Sequence, residues 1–119
     1  MTVREFYAAV DGDYESAVKC FGDDFAIKKW LLRLSADPCF QDLQAAMPNG
    51  DAEGIAKASN ALKGMALNLG LTKLGEASRK LEQTAHSGIT METLSIFRTI
   101  EVEYAALALS IEKMLSHKP

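Results

Sequence analysis

Two histidines, two cysteines and one helical face hold the side chains of this chain that could do chemistry. His86 precedes Ser87-Gly88 at the expected end of a helix, where the dipole favours an imidazolium, and His117 sits among the last residues. Both read as structural or surface groups. Cys20 and Cys39 stand well apart, with neither CxxC spacing nor nearby histidines, and read as two reduced, half-buried thiols. These four offer no metal-ligand spacing. Hydrolase motifs, P-loops and dinucleotide fingerprints are missing too, so no cofactor is implied.

The face with a signal lies on the segment from Asp51 to Gly70. Wound at about 100° per residue, it puts Ile55, Ala58, Leu62, Met65, Ala66 and Leu69 on a stripe that must face a core. The opposite stripe carries Glu53, Lys57, Asn60, Lys63, Gly64 and Leu67. A mid-helix glycine costs about 1 kcal/mol relative to alanine, so Gly64 suggests the close approach of another body. Leu67 would add apolar area to that approach, and Lys57 and Lys63 would favour an acidic partner or a phosphate. Periodicity alone favours the plainer reading of a tolerated glycine, a stray leucine and solvated lysines.

The elements that must position this face are helices. Apolar residues recur every three or four positions, with no sustained period-two alternation. Turn and cap residues cut the chain into seven helical pieces. The first two, roughly 3–10 and 14–21, are short and are expected to form an N-terminal lid. Phe25, Ile27, Trp30, Leu31 and Leu34 supply the apolar face of the third, with Trp30 as a core anchor; Asp37 then caps a new turn with Pro38 at its first position. Asp51 caps the helix already described and Gly70 closes it; Thr72 is expected to cap the next and Thr90 the last. Leu94, Phe97, Ile100, Tyr104, Leu107, Ile111 and Met114 give the last helix its inward face, Met65 and Met91 read as core filling, and Glu101-Val102-Glu103 as a solvated face. Short connections favour an all-α, antiparallel up-down-up-down four-helix bundle, with residues 1–22 as an N-terminal helical extension and 23–119 as the bundle.

Composition sets the outer bounds. The chain has 119 residues, 48% hydrophobic and 24% charged, which matches one ordinary globular domain. Thirteen basic against sixteen acidic residues leave a net charge of −3, so no basic field recruits nucleic acid. No apolar run approaches the ~20 residues that span a bilayer, and the first residues lack the order of a signal peptide; membrane insertion is not expected, and a cytoplasmic location is.

The segment Ala58-Ser59-Asn60-Ala61-Leu62-Lys63-Gly64-Met65-Ala66-Leu67-Asn68-Leu69-Gly70 resembles the central motif of histidine-containing phosphotransfer (HPt) domains, His-x-Leu-Lys-Gly followed five residues on by Leu-Gly. The likeness continues through Leu74 and Ala77 to Leu81-Glu82 and covers roughly residue 24 onward. It implies a phosphorelay module whose partners are a response-regulator receiver domain, a hybrid sensor kinase, or both. In that family the motif histidine takes a phosphoryl group from one receiver aspartate and passes it to another. Asn60 stands at that position. An imidazole nitrogen has a free lone pair near neutral pH, whereas the carboxamide nitrogen's is delocalised into its carbonyl, so Asn60 is not a competent nucleophile.

The resemblance gives Lys63 the place of the lysine beside the phosphorylated ring and Gly64 that of the residue keeping bulk away from a docking receiver. Leu67, Lys57 and Glu53 complete the expected docking surface around the phosphoacceptor-equivalent Asn60. The expectation is therefore a degenerate HPt module, not an enzyme, that docks a receiver without carrying phosphate. Two alternatives stand beside it: a phosphotransfer protein whose histidine was replaced at position 60, and a helical adaptor outside signalling.

Overall fold

The computed structural model describes residues 1–116, and every described segment of regular structure is helical. Seven helices follow in order: α1 (Val3–Ala9), α2 (Tyr14–Phe21), α3 (Asp24–Ala36), α4 (Cys39–Ala46), α5 (Ala52–Asn68), α6 (Thr72–Ala85) and α7 (Met91–Ser116). Each occupies one of the pieces the punctuation marks out.

Local chemistry starts most of them. Thr2 and Glu5 form a reciprocal capping box on α1, at 3.1 and 2.8 Å. Asp13, Asp23 and Asp51 accept backbone N–H groups at the starts of α2, α3 and α5. Thr90 does cap α7, its hydroxyl accepting from Thr93 N while the Thr93 hydroxyl accepts from Thr90 N. Thr72 does not cap α6. It is already helical, and the cap position falls to Leu71, whose side chain has no polar atom to donate or accept; Leu71 is drawn into the core and its N–H is taken by the Ala66 carbonyl at 2.8 Å. Ahead of α4 the Asp37 carboxylate accepts from Cys39 N at 2.9 Å, just past Pro38.

The core runs through every helix. Ile27, Leu31 and Leu34 of α3, Leu43 of α4, Ile55 and Leu62 of α5, Leu74 and Leu81 of α6, and Ile100, Leu107 and Ile111 of α7 are buried together. α5 packs on α4 and α6, and α6 on α7. Contacts along α5 and α6 run in opposite senses, Leu67 against Gly75 and Lys63 against Glu82, as in an antiparallel hairpin.

Several inward assignments fail for a common reason: they lie off the stripe that the neighbouring helices cover. Phe25 is about 200° from Ile27 and points to solvent. Trp30 is 36% exposed and acts at the surface, stacked on Phe21 with centroids 5.6 Å apart and with the Arg33 guanidinium 5.0 Å from its ring centre. Met91, at the first position of α7, and Leu94 are exposed, whereas Met65 is half-buried and does pack against the core. The cysteines are both free thiols, but neither is half-buried: Cys20 is exposed and Cys39 buried.

The N-terminal pair is more than a lid. Phe6 and Tyr7 of α1 are fully buried, and α1 packs on α3 and α7. Tyr7 donates its hydroxyl to the Leu69 carbonyl at 2.6 Å, and Asp13 N donates to the Gly70 carbonyl at 2.7 Å, tying this segment to the end of α5.

Candidate functional site

α5 is the helix that presents the site. Asp51 fixes its start, and its end is set by Gly70 at φ +70°, where Leu71 N and Gly70 N return to the Ala66 and Leu67 carbonyls. Between these ends Ile55, Ala58, Leu62, Ala66 and Leu69 are buried, which fixes the helix rotation. Glu53, Lys57, Asn60, Gly64 and Leu67 consequently face outward, and Lys63 is partly buried at the α5–α6 seam.

Asn60 is exposed at the centre of this face. The Lys63 ammonium donates to Glu82 Oε1 at 2.8 Å, with each side chain about a quarter exposed. Its charge is therefore shared with α6, not pointed freely at Asn60. Gly64 lies one turn beyond Asn60, and a Cβ built there would meet nothing within 4 Å. No crowding within the chain demands that glycine.

Leu67 is different. It is 40% exposed, yet a Cβ on the buried Gly75 would overlap its Cδ2, so the leucine is seated in a notch that Gly75 opens in α6. Much of the apolar area ascribed to it from the sequence goes to helix pairing. Lys57 is exposed and borders a cavity of about 390 Å³ between α4 and α5 with Asp42, Asn49 and Asp51. Cys39 lines the same cavity. Burial, together with a hydrogen bond to Asp37, pushes its thiol up to about 12, so it is no nucleophile near neutral pH.

A groove of about 470 Å³ opens further along the same side of α5, bounded by Asn60, Ala61, Gly64, Met65 and Asn68 of α5, by Leu69, and by Phe21 and Trp30. Phe21 and Trp30 are absent from the site expected of the sequence. Nothing in their spacing reports that α2 and α3 bring their stacked rings alongside α5; the out-of-stripe phase of Trp30 is the one signal that could have flagged it. His86 is exposed at the end of α6, and His117 lies outside the described residues. Among the described residues no cluster of three His, Cys, Asp or Glu side chains could hold a metal ion.

An exposed polar side chain on a helix, a lysine one turn away, a bare glycine beyond it and an aromatic groove alongside make a surface for another protein more than a pocket for a small molecule. The Hpt domain family model matches residues 30–116, and the chain belongs to that family of helical phosphorelay signalling domains. α1, α2 and the first turns of α3 precede the match. No curated protein and no solved structure matches the chain. Among the described residues no helix is long and apolar enough to cross a membrane.

Proposed function

We propose that this protein is an HPt domain that docks a response-regulator receiver, alone or within a hybrid sensor kinase, and does not itself carry the phosphoryl group. The observation that carries the reading is Asn60, exposed in the phosphoacceptor position of an otherwise open docking face. Transfer from a receiver would break the bond between phosphorus and the aspartate oxygen and form one to a ring nitrogen. The carboxamide has no lone pair free to form it, and no neighbouring base can supply one.

Docking makes fewer demands than transfer. The carboxamide donates and accepts hydrogen bonds, Gly64 leaves room for a receiver to approach, and Lys57 offers positive charge toward its acidic pocket, with Lys63 beside Asn60 but paired to Glu82. Leu67 and Glu53 lie at the edge of the footprint. The architecture proposed with it is an antiparallel up-down-up-down four-helix bundle that begins at residue 23, with 1–22 as an N-terminal extension.

The test is Asn60→His. Incubated with a phosphorylated receiver or a small phosphodonor, the variant gains an acid-labile phosphoryl group and the parent stays unlabelled, while both bind the receiver with similar affinity. Stable label on the parent would overturn the reading, as would failure of both proteins to bind any receiver from the same cell.

A further inference from the structure

We propose that Asn60 gives this protein a further activity: in the docked complex its carboxamide holds a water molecule in line with the receiver's phosphoaspartyl group and speeds that group's hydrolysis. The inference rests on receiver docking as set out above and adds what the docked face does to a phosphorylated receiver. The phosphate-bearing pocket stays the receiver's, and this chain supplies one water-orienting group in trans, a task that a carboxamide performs in other phosphoryl-transfer sites.

Asn60 is free for that task. Its side chain is exposed and makes no hydrogen bond within the chain among the described residues, so its carbonyl oxygen and its amide group are both left to a partner or to water. The carboxamide is also shorter than the imidazole whose place it takes. A receiver seated in the same register therefore leaves a gap between this side chain and the phosphorus, and a water bonded to Oδ1 fills it.

The rest of the face leaves water as the nucleophile. Ser59 is the only hydroxyl within one turn of Asn60, and it is fully buried. Lys63, one turn on, is held by Glu82 at 2.8 Å. Solvent has room beside the site: Gly64 is bare, and the groove of about 470 Å³ that Asn60 and Gly64 border can keep several waters at hand while a receiver covers the face. A bulky apolar side chain at position 60 would shield the acyl phosphate; a short polar one beside an open groove does the reverse.

The step balances with water as the sole co-reactant. Oδ1 of Asn60 accepts a hydrogen bond from the water, which turns an oxygen lone pair toward phosphorus. The bond from that oxygen to phosphorus forms as the bond from phosphorus to the aspartate oxygen breaks. The aspartate leaves as a carboxylate, and both water hydrogens depart on dihydrogen phosphate. Nothing becomes attached to this chain.

Receiver domains from the same cell, phosphorylated with acetyl phosphate and freed of the donor, test the inference through their release of inorganic phosphate with and without the full chain. Binding is measured alongside by titration calorimetry, to receivers loaded with beryllofluoride as a stable stand-in for the phosphoryl group. At saturation the parent should raise the rate of phosphate loss from the receiver it binds at least about tenfold. Asn60→Ala, which suits an exposed helix position, should return that rate to the receiver's own while the Kd stays within about twofold, and Asn60→Gln, which keeps the carboxamide, should recover part of the gain. A merely structural role for Asn60 would move the Kd instead of the rate. A parent that binds and leaves the rate unchanged or slows it, or an alanine variant as fast as the parent, overturns this inference and leaves docking standing. Failure to bind any receiver removes docking and this inference together.

Discussion

Replacing Gly64 by alanine separates what this residue does for the fold from what it does for a partner. A Cβ at position 64 meets no atom within 4 Å, so the substitution introduces no clash and fills no cavity. What remains is the backbone term: an alanine in a helix interior is favoured over glycine by about 0.5–1 kcal/mol. For a domain of this length that is worth a rise in Tm of about 2–5 °C. Gly64→Ala should therefore melt higher than the parent in a calorimetric or circular-dichroism scan. Its affinity for a receiver, by titration calorimetry, should fall, and Gly64→Arg should abolish binding at unchanged fold, since Gly64 lies one turn from Asn60 and borders the aromatic groove.

Gly75→Ala is the matched control. It brings the same backbone gain, but its methyl group would overlap Leu67, which must swing outward and give up its seat on α6. Its Tm should change little, because the two effects oppose each other. A Gly64→Ala protein that melts lower than the parent would show that the chain itself needs a bare backbone there. A Gly64→Arg protein that binds receiver as tightly as the parent would move the docking face away from α5.

Three further outcomes follow from the ties around this helix. Gly70→Ala should destabilise by about 3 kcal/mol in urea unfolding, combining left-handed backbone at φ +70° with overlap of the Asp13 carbonyl and loss of the 2.7 Å Asp13–Gly70 bond; a loss below 1 kcal/mol would refute that account. Tyr7→Phe should lower stability by about 1–2 kcal/mol, because it leaves the Leu69 carbonyl without its buried donor, and an unchanged urea midpoint would count against a structural role for α1. Because burial raises the Cys39 thiol in the native state, the unfolded chain ionises there first, so its contribution is complete below the ordinary thiol value of 9.0 and declines as pH rises toward about 12. Cys39→Ala should flatten that decline between pH 9 and 10, and a thiol reagent should label Cys20 in the native protein but Cys39 only on unfolding.

What could be read in advance was whatever local periodicity and capping decide. The seven helices, the buried stripe Ile55, Ala58, Leu62, Ala66 and Leu69, the Asp51 and Thr90 caps and the left-handed Gly70 depend on residues within a turn or two of one another. An inward stripe on one helix also fixes its outward stripe, so Asn60, Gly64 and Lys57 were placed correctly before any tertiary contact was known. Contacts between distant segments were not legible. Trp30 is apolar but stands about 60° off the centre of the α3 stripe, and only the tertiary contact shows that Phe21, nine residues earlier, stacks on it at the surface. Leu67 reads as a free apolar handle until Gly75 of the next helix is seen to receive it. The pairing of Lys63 with Glu82 likewise needs the register of α5 against α6.

The N-terminal residues show how far the site depends on chain outside the family match. A helix end leaves its last carbonyls without intrahelical partners, and buried acceptors need donors. At the end of α5 two adjacent carbonyls, of Leu69 and Gly70, receive them from Tyr7 and Asp13. Those donors also fix where the chain enters α2, and the entry into α2 fixes where Phe21 and its stacked Trp30 lie beside Asn60. α1 is buried deeply enough to hold that chain of placements, with Phe6 and Tyr7 inside the common core. The aromatic wall of the groove is thus set by the same bonds that finish the motif helix, and a change in the first thirteen residues reaches the Asn60 face without touching it.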